Sequence, residues 1–243
     1  MAKLSVNINK IATLRNSRGG NNPNLLKMAT DIQSYGADGI TIHPRPDQRH
    51  IKFNDVFELK NVIKTEFNIE GNPSLDFLRL VKKNLPDQVT LVPDSEKVIT
   101  SASGWDTVSN KFFLIDVINE LKELGIRTSI FVDPEQKMID GALEAGADRI
   151  ELYTKGFADL YPINPKKAIQ RYIIASDHAN NIGIGINAGH DLSIENIEFF
   201  SRNNKSVGRV LPFQYSLKDN DWHHEGINSK GDPMHEIWTN RNL

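Results

Sequence analysis

Seven short apolar runs, separated by amphipathic stretches, limit most sharply what this chain can become. They occupy residues 4–8, 39–42, 67–70, 89–92, 127–132, 149–152 and 182–186. The runs are rich in β-branched residues and read as continuous rather than alternating, the pattern of strands buried on both faces. Between them apolar residues recur at helical spacing, as in Val56, Leu59, Val62 and Ile63, or Leu114, Val117, Ile118, Leu121 and Leu124. Gly36, Gly125, Gly146 and Gly183 each close a helical stretch before the next run. Asn54, residues 72–74 and Ser193 stand where helix N-caps are wanted. One joint is used twice, as Tyr35-Gly36-Ala37-Asp38-Gly39-Ile40 and Ala145-Gly146-Ala147-Asp148-Arg149-Ile150. Repeated strand–helix units favour parallel strands with helices outside them. The expected fold is therefore α/β, a closed (β/α)8 barrel of the TIM type, with a doubly wound open sheet as the alternative. A length of 243 residues suits one such barrel, so residues 1–243 are read as a single domain.

Composition narrows the function. Lys plus Arg number 29 and Asp plus Glu 31, a net charge of −2, which argues against a general nucleic-acid or membrane-surface binder. Cysteine is absent, which excludes disulfides, thiolate nucleophiles, iron–sulfur clusters and Cys-based zinc sites. No apolar run approaches the ~18 residues that a membrane-spanning helix needs. The N-terminus enters a strand-like stretch with no signal-peptide pattern, so a cytoplasmic location is expected.

In a parallel barrel the chemistry gathers at the C-terminal ends of the strands. Those ends carry Asn7 and Asn9, His43, Glu70, Asp94, Asp133, Glu151, Asn187 and His190. Asp94 and Asp133 are read as ordinary loop polarity; His43, Glu70, Glu151 and His190 are read as functional. Three segments add to this. Residues 15–22 form a glycine-rich loop with two guanidinium groups, Arg15 and Arg18, suited to a phosphate dianion, although no P-loop lysine motif is present. Residues 43–50 place two His and two Arg between stiffening prolines. Residues 93–109 lack periodicity and read as a lid or binding loop. His43, His50, Glu70, Glu151 and His190 could ligate a metal chemically, but they lack metal-site spacing, and none is expected. A Schiff-base lysine at Lys10 or Lys155 is a weaker alternative.

Longer stretches resemble one family. Residues 6–19, reading Val-Asn-Ile-Asn-Lys-Ile-Ala-Thr-Leu-Arg-Asn-Ser-Arg-Gly, are similar to the opening of the pyridoxine 5′-phosphate synthases. So are residues 36–45 with Arg49 and His50, Asn68-Ile69-Glu70, residues 89–93 and Asn187-Ala188-Gly189-His190. The resemblance runs from residue 1 to about residue 200 without much change of spacing. It implies a barrel enzyme that condenses 1-deoxy-D-xylulose 5-phosphate with 3-amino-2-oxopropyl phosphate, closing a pyridine ring and releasing inorganic phosphate and water. Carried over residue by residue, it makes His43 and Glu70 proton acceptors, His190 a proton donor and Glu151 a stabiliser of cationic transition states. Asn7, Arg18 and Asp191 resemble contacts to the amino-ketone phosphate, and Arg45, His50 and Thr100 contacts to the deoxyxylulose phosphate. Asn9 and Lys10 stand where many members have Asp-His, and are carried over as substrate-binding only. The family implies no metal or other cofactor and a homo-oligomer, an octamer. A barrel that binds a phosphorylated metabolite without turnover, or a sugar-phosphate isomerase or aldolase, would use the same loops.

The tail departs from this pattern. Residues 201–243 lack the family's eighth strand and amphipathic helix; Pro212, Gly226, Gly231 and Pro233 interrupt any helix of useful length. An atypical, incomplete eighth β/α unit is expected, with residues 207–213 as a makeshift strand at best and open sheet edges otherwise. His223-His224 is not read as a metal pair.

Overall fold

A computed structural model describes residues 2–93, 103–205, 207–210, 221–227 and 233–239; Asp94 and Thr100 lie outside the described residues. Eight parallel strands form a closed ring: β1 (Lys3–Asn7), β2 (Gly39–Ile42), β3 (Glu66–Gly71), β4 (Gln88–Leu91), β5 (Arg127–Val132), β6 (Arg149–Tyr153), β7 (Gly185–Gly189) and β8 (Arg209–Val210). Helices α1 (Asn9–Ser17) and α2 (Leu25–Ser34) follow β1, and α3 (Phe53–Val62) and α4 (Leu75–Asn84) follow β2 and β3. The circuit continues with α5 (Lys111–Lys122), α6 (Gln136–Glu144), α7 (Lys155–Leu160), α8 (Pro165–Asn181) and α9 (Ile197–Asn203). The duplicated joint does the same work at both places. Gly36 and Gly146 take φ of 100° and 89°, a left-handed conformation that turns each helix end into the next strand.

Both faces of the strands are buried, but they alternate in chemistry, contrary to the continuous apolar reading. Ile40, Ile42, Phe67, Ile69, Val89, Leu91, Ile130, Val132, Ile150, Leu152 and Ile186 belong to the apolar core shared with the helices. The positions between them fill the barrel with polar groups. Ser5 Oγ lies 2.8 Å from Thr41 Oγ1. Asn68 Nδ2 donates to Thr41 Oγ1 at 3.3 Å, while Gln88 Nε2 and Thr90 Oγ1 both donate to Asn68 Oδ1 at 3.1 Å. Asn187 Nδ2 reaches past β6 to Ser129 Oγ at 3.2 Å. The alternation is written in the sequence, since Phe67-Asn68-Ile69-Glu70 sets apolar and polar residues strictly in turn, and taking the run as continuously apolar overlooked it.

Several local expectations shift. The seventh strand starts at Gly185, not at residue 182, because α8 continues to Asn181 and Gly183 (φ 81°) makes the turn. Ser74 caps α4 by accepting from the Phe77 N–H at 3.3 Å. Asn54 lies within α3, and α9 begins after Asn196 rather than Ser193.

The eighth unit is half corrected. Arg209–Val210 pairs in parallel with β7 (Asn187↔Arg209, Ala188↔Val210) and with β1 (Lys3↔Arg209, Leu4↔Val210), so the ring is not left open. Gly208 extends both seams, its N–H donating to Ile186 O and its carbonyl accepting from Lys3 N–H, each at 3.2 Å. Upstream, Phe200 is fully buried against Phe157 and Tyr172, and Asn204 Nδ2 donates to Ser176 Oγ at 2.9 Å. No helix follows β8 among the described residues. Instead β9 (Asp221–Ile227) and β10 (Pro233–Thr239) pair antiparallel as a two-stranded sheet. His223 and His224 are successive residues of β9.

Candidate active site

Helix α1 organises the C-terminal mouth of the barrel. Asn7 Oδ1, at the end of β1, accepts from the Asn9 N–H at 2.9 Å, and Asn9 Oδ1 in turn accepts from the His43 N–H at 2.8 Å. Farther along α1, Thr13 Oγ1 lies 2.8 Å from His50 Nδ1, and Asn16 Nδ2 donates to His50 O at 2.7 Å. Arg15 forms a bidentate pair with Asp55 of α3, both bonds 2.8 Å. This corrects the reading of residues 15–22 as one loop with two free guanidinium groups. Arg15 to Ser17 are helical, and the Arg15 charge is consumed in a buried ion pair. Arg18 remains exposed at the end of α1.

His43 and Glu70, at the ends of β2 and β3, face each other with Nδ1 and Oε2 4.0 Å apart. Burial pushes the His43 imidazole down to about 3, and Arg45, His50 and His190 add their positive charge to that effect. His50 is pushed down to about 4, first by burial, then by Lys10, Arg49 and Arg45. Both rings are therefore neutral near pH 7. His43 thus lies within electrostatic reach of Arg45, His50 and His190, and His50 within reach of Lys10, Arg49 and Arg45. Arg45 is buried to 5% exposure, and Lys10 contributes from an exposed position on α1.

Glu151 lies deeper, in the polar barrel interior, between Phe131 of β5 and Asn187 of β7 in register. Burial pushes its carboxyl up to about 8, with the Thr90 hydroxyl pulling the other way, and its Oε2 has no hydrogen-bond partner among the described residues. It is a neutral acid at pH 7. His190 ends β7; its Nδ1 lies 2.7 Å from Asp191 Oδ2, and its ring meets Tyr153 edge-on at 4.9 Å and Phe131 at 6.0 Å. Phe131, Tyr153 and Val92 form a small apolar cluster apart from the main core. The sequence reading missed Phe131 and Tyr153. Counting two residues on from Ser129 and from Glu151 along an alternating strand would have found both.

Other strand-end residues have structural work. Asp133 Oδ2 accepts from the Gly104 N–H at 3.0 Å and anchors the β4–α5 loop, consistent with reading it as non-functional. Asn187 belongs to the interior network. Lys155 Nζ pairs with Asp159 at 3.1 Å, and that bond raises its pKa, the opposite of what a Schiff-base lysine needs. Among the described residues no three His, Cys, Asp or Glu side chains converge as metal ligands.

The family described as Pyridoxal phosphate biosynthesis protein PdxJ matches residues 4–210. The chain belongs to that family. The PdxJ match runs ten residues beyond Phe200 and takes in the eighth strand, so the likeness ends later than the sequence reading placed it. Among curated relatives, the pyridoxine 5′-phosphate synthase of Flavobacterium johnsoniae is 60% identical over 216 residues, covering 87% of this chain and 91% of the relative. That of Cytophaga hutchinsonii is 55% identical with the same coverage. A solved structure of monomers of dimeric phosphoribosylanthranilate isomerase from Thermotoga maritima shares the fold at a TM-score of 0.52 and 16% identity, with 87% of each chain covered. No helix among the described residues is long and apolar enough to cross a membrane.

Proposed function

We propose that this PdxJ-family protein is a pyridoxine 5′-phosphate synthase. It condenses 1-deoxy-D-xylulose 5-phosphate with 3-amino-2-oxopropyl phosphate to pyridoxine 5′-phosphate, releasing inorganic phosphate and water. One observation carries the reading beyond the relatives' names: a neutral imidazole and a carboxyl, His43 and Glu70, share a buried mouth with Arg45, His50 and the neutral acid Glu151. Imine formation, dehydration and ring closure each need a proton taken from one atom and given to another. His43 and Glu70 are the acceptors in this reading, and His190 is the donor when water leaves. Burial is the main cause of the lowered His43 value, and the charge of Arg45 adds to it; a phosphate bound at Arg45 would neutralise that charge and raise the basicity of His43. Glu151 donates its proton to the nitrogen of an imine formed beside it, and the resulting carboxylate stabilises the iminium.

Asn7, Arg18 and the Asp191 backbone are assigned to the amino-ketone phosphate. Arg45, His50 and Thr100 are assigned to the deoxyxylulose phosphate, with Lys10 adding charge. Asn9 supports His43 as well as lining the site. No metal or cofactor enters this scheme, and the protein is assigned to a cytoplasmic homo-oligomer. Purified protein incubated with both substrates should yield pyridoxine 5′-phosphate and stoichiometric phosphate. Binding without phosphate release, or turnover of one substrate alone, would overturn the proposal.

A further inference from the structure

The loop after β7 contains an unusual backbone. His190 and Asp191 are consecutive non-glycine residues at φ of 72° and 57°. Side chains other than glycine adopt this region at a cost, and such pairs persist only where the surroundings hold them. Two buried side chains supply the hold. Thr154, fully buried just after β6, donates its N–H to Gly189 O at 3.1 Å, and its hydroxyl lies against the carbonyl oxygens of both Gly189 and His190. From the other side, Asn196 Nδ2 donates to Asp191 O at 3.3 Å, and Asn196 Oδ1 accepts from the Ser193 N–H at 2.8 Å.

The turn brings together two side chains that adjacent residues ordinarily direct apart. His190 Nδ1 and Asp191 Oδ2 are 2.7 Å apart. An ionised carboxylate only accepts, so the imidazole hydrogen in that bond sits on Nδ1. A neutral ring holding its hydrogen on Nδ1 has a bare Nε2, and that nitrogen is the one free to receive and return a proton. We propose that Asp191 and Thr154 are positioning residues for His190. Asp191 fixes the imidazole hydrogen on Nδ1 and so presents Nε2 to the reacting atoms, while Thr154 holds the turn that makes the pair. This deepens the role given to Asp191, whose side chain serves the histidine. It rests on the assignment of His190 as the acid, with Nε2 first taking up from the reacting molecule the proton that it later gives to the departing water.

The tautomer can be read without turnover. In protein carrying nitrogen-15 histidine, with the His190 signals assigned by their loss in His190→Gln, the neutral ring should show its hydrogen on Nδ1. Asp191→Gly suits the left-handed backbone and removes only the carboxylate. It should stay folded, move the hydrogen to Nε2, and lower kcat by roughly tenfold to a hundredfold, less than the ~100- to 10,000-fold of a deleted general acid. Asp191→Asn keeps an acceptor and should keep the Nδ1 hydrogen. Thr154→Val should lose the Nδ1 preference, and Thr154→Ser should restore it. A wild-type ring with its hydrogen on Nε2, or an Asp191→Gly ring unchanged from wild type, overturns the role of Asp191. A folded Thr154→Val protein with an unchanged ring overturns that of Thr154. Full turnover by His190→Gln would instead refute His190 as the acid and leave the tautomer result standing.

Discussion

Glu151 is a carboxyl group whose ionisation the fold opposes. Its value in the folded protein, about 8, lies above the ordinary 4.5 of an exposed glutamate, so folding binds its proton more tightly. The resulting stabilisation is fully present below the unfolded value and is lost as the pH rises through about 8. Glu151→Gln keeps the shape and never ionises. Its melting temperature should match the wild type near pH 4, exceed it increasingly as the pH rises to about 8, and keep that margin above it; parallel melting curves would show that Glu151 is not held neutral. Glu70 tests the chemistry rather than the stability. Glu70→Gln keeps a hydrogen-bonding amide opposite His43 but cannot accept a proton, so kcat should fall ~100- to 10,000-fold while both substrates still bind. A loss of only a few-fold would make Glu70 an ordinary strand-end carboxylate. Arg15 marks the opposite outcome at this scale: a guanidinium that reads as a phosphate ligand in sequence is paired with Asp55, forty residues away, and nothing local announces that partner.

Among the elements, β3 shows how the barrel interior is tied together. Asn68 is completely buried, accepts from Gln88 and Thr90, and donates to Thr41. Asn68→Ala removes that hub, taking the acceptor from the buried Gln88 amide, leaving the Thr90 hydroxyl only Glu151, and opening a small void. Stability to urea should fall by about 2–4 kcal/mol, and activity should fall too, because Thr90 also flanks Glu151. A change below about 0.5 kcal/mol would mean that water replaces the lost bonds.

The strands themselves were legible because β-branched runs punctuated by Gly36, Gly125 and Gly146 leave few alternatives. The positions of His43, Glu70 and His190 at the mouth were legible because a parallel barrel aims strand ends at one place; Glu151, read as a strand end, is the central residue of β6 and lies in the interior. The polar interior was not. Thr41, Asn68 and Thr90 look like ordinary strand polarity until eight strands are wrapped into a ring and their side chains meet. The left-handed turn at His190 and Asp191 was equally hidden, since neither residue is the glycine that usually marks one.

For the molecule as a whole, the question is how little of an eighth strand suffices. Val207 is buried to 3% exposure, and Gly208 to Val210 bond to both neighbours. A chain ending at Val210 should keep the melting temperature of its barrel. One ending at Asn204 loses the burial of Val207, worth roughly 2 kcal/mol, and exposes the edges of β1 and β7. Its melting temperature should be lower by about 4–8 °C, with aggregation on heating. Equal melting of the two truncations would show that the short strand contributes nothing to closure.

The pairing of Leu4 with Val210 also fixes where this body begins and ends in space. Strand neighbours lie about 5 Å apart, so the first and last strands of the family-matching region share one seam. Because the two strands run parallel, a crossover of about a dozen residues or more would join them, as at every other seam of the ring, and the ring would then have no fixed starting point. New termini cut at a surface joint such as Gly125 would leave every strand order and every mouth residue in place. For a barrel closed in this way, the position of the chain ends is a property of the gene and not of the fold.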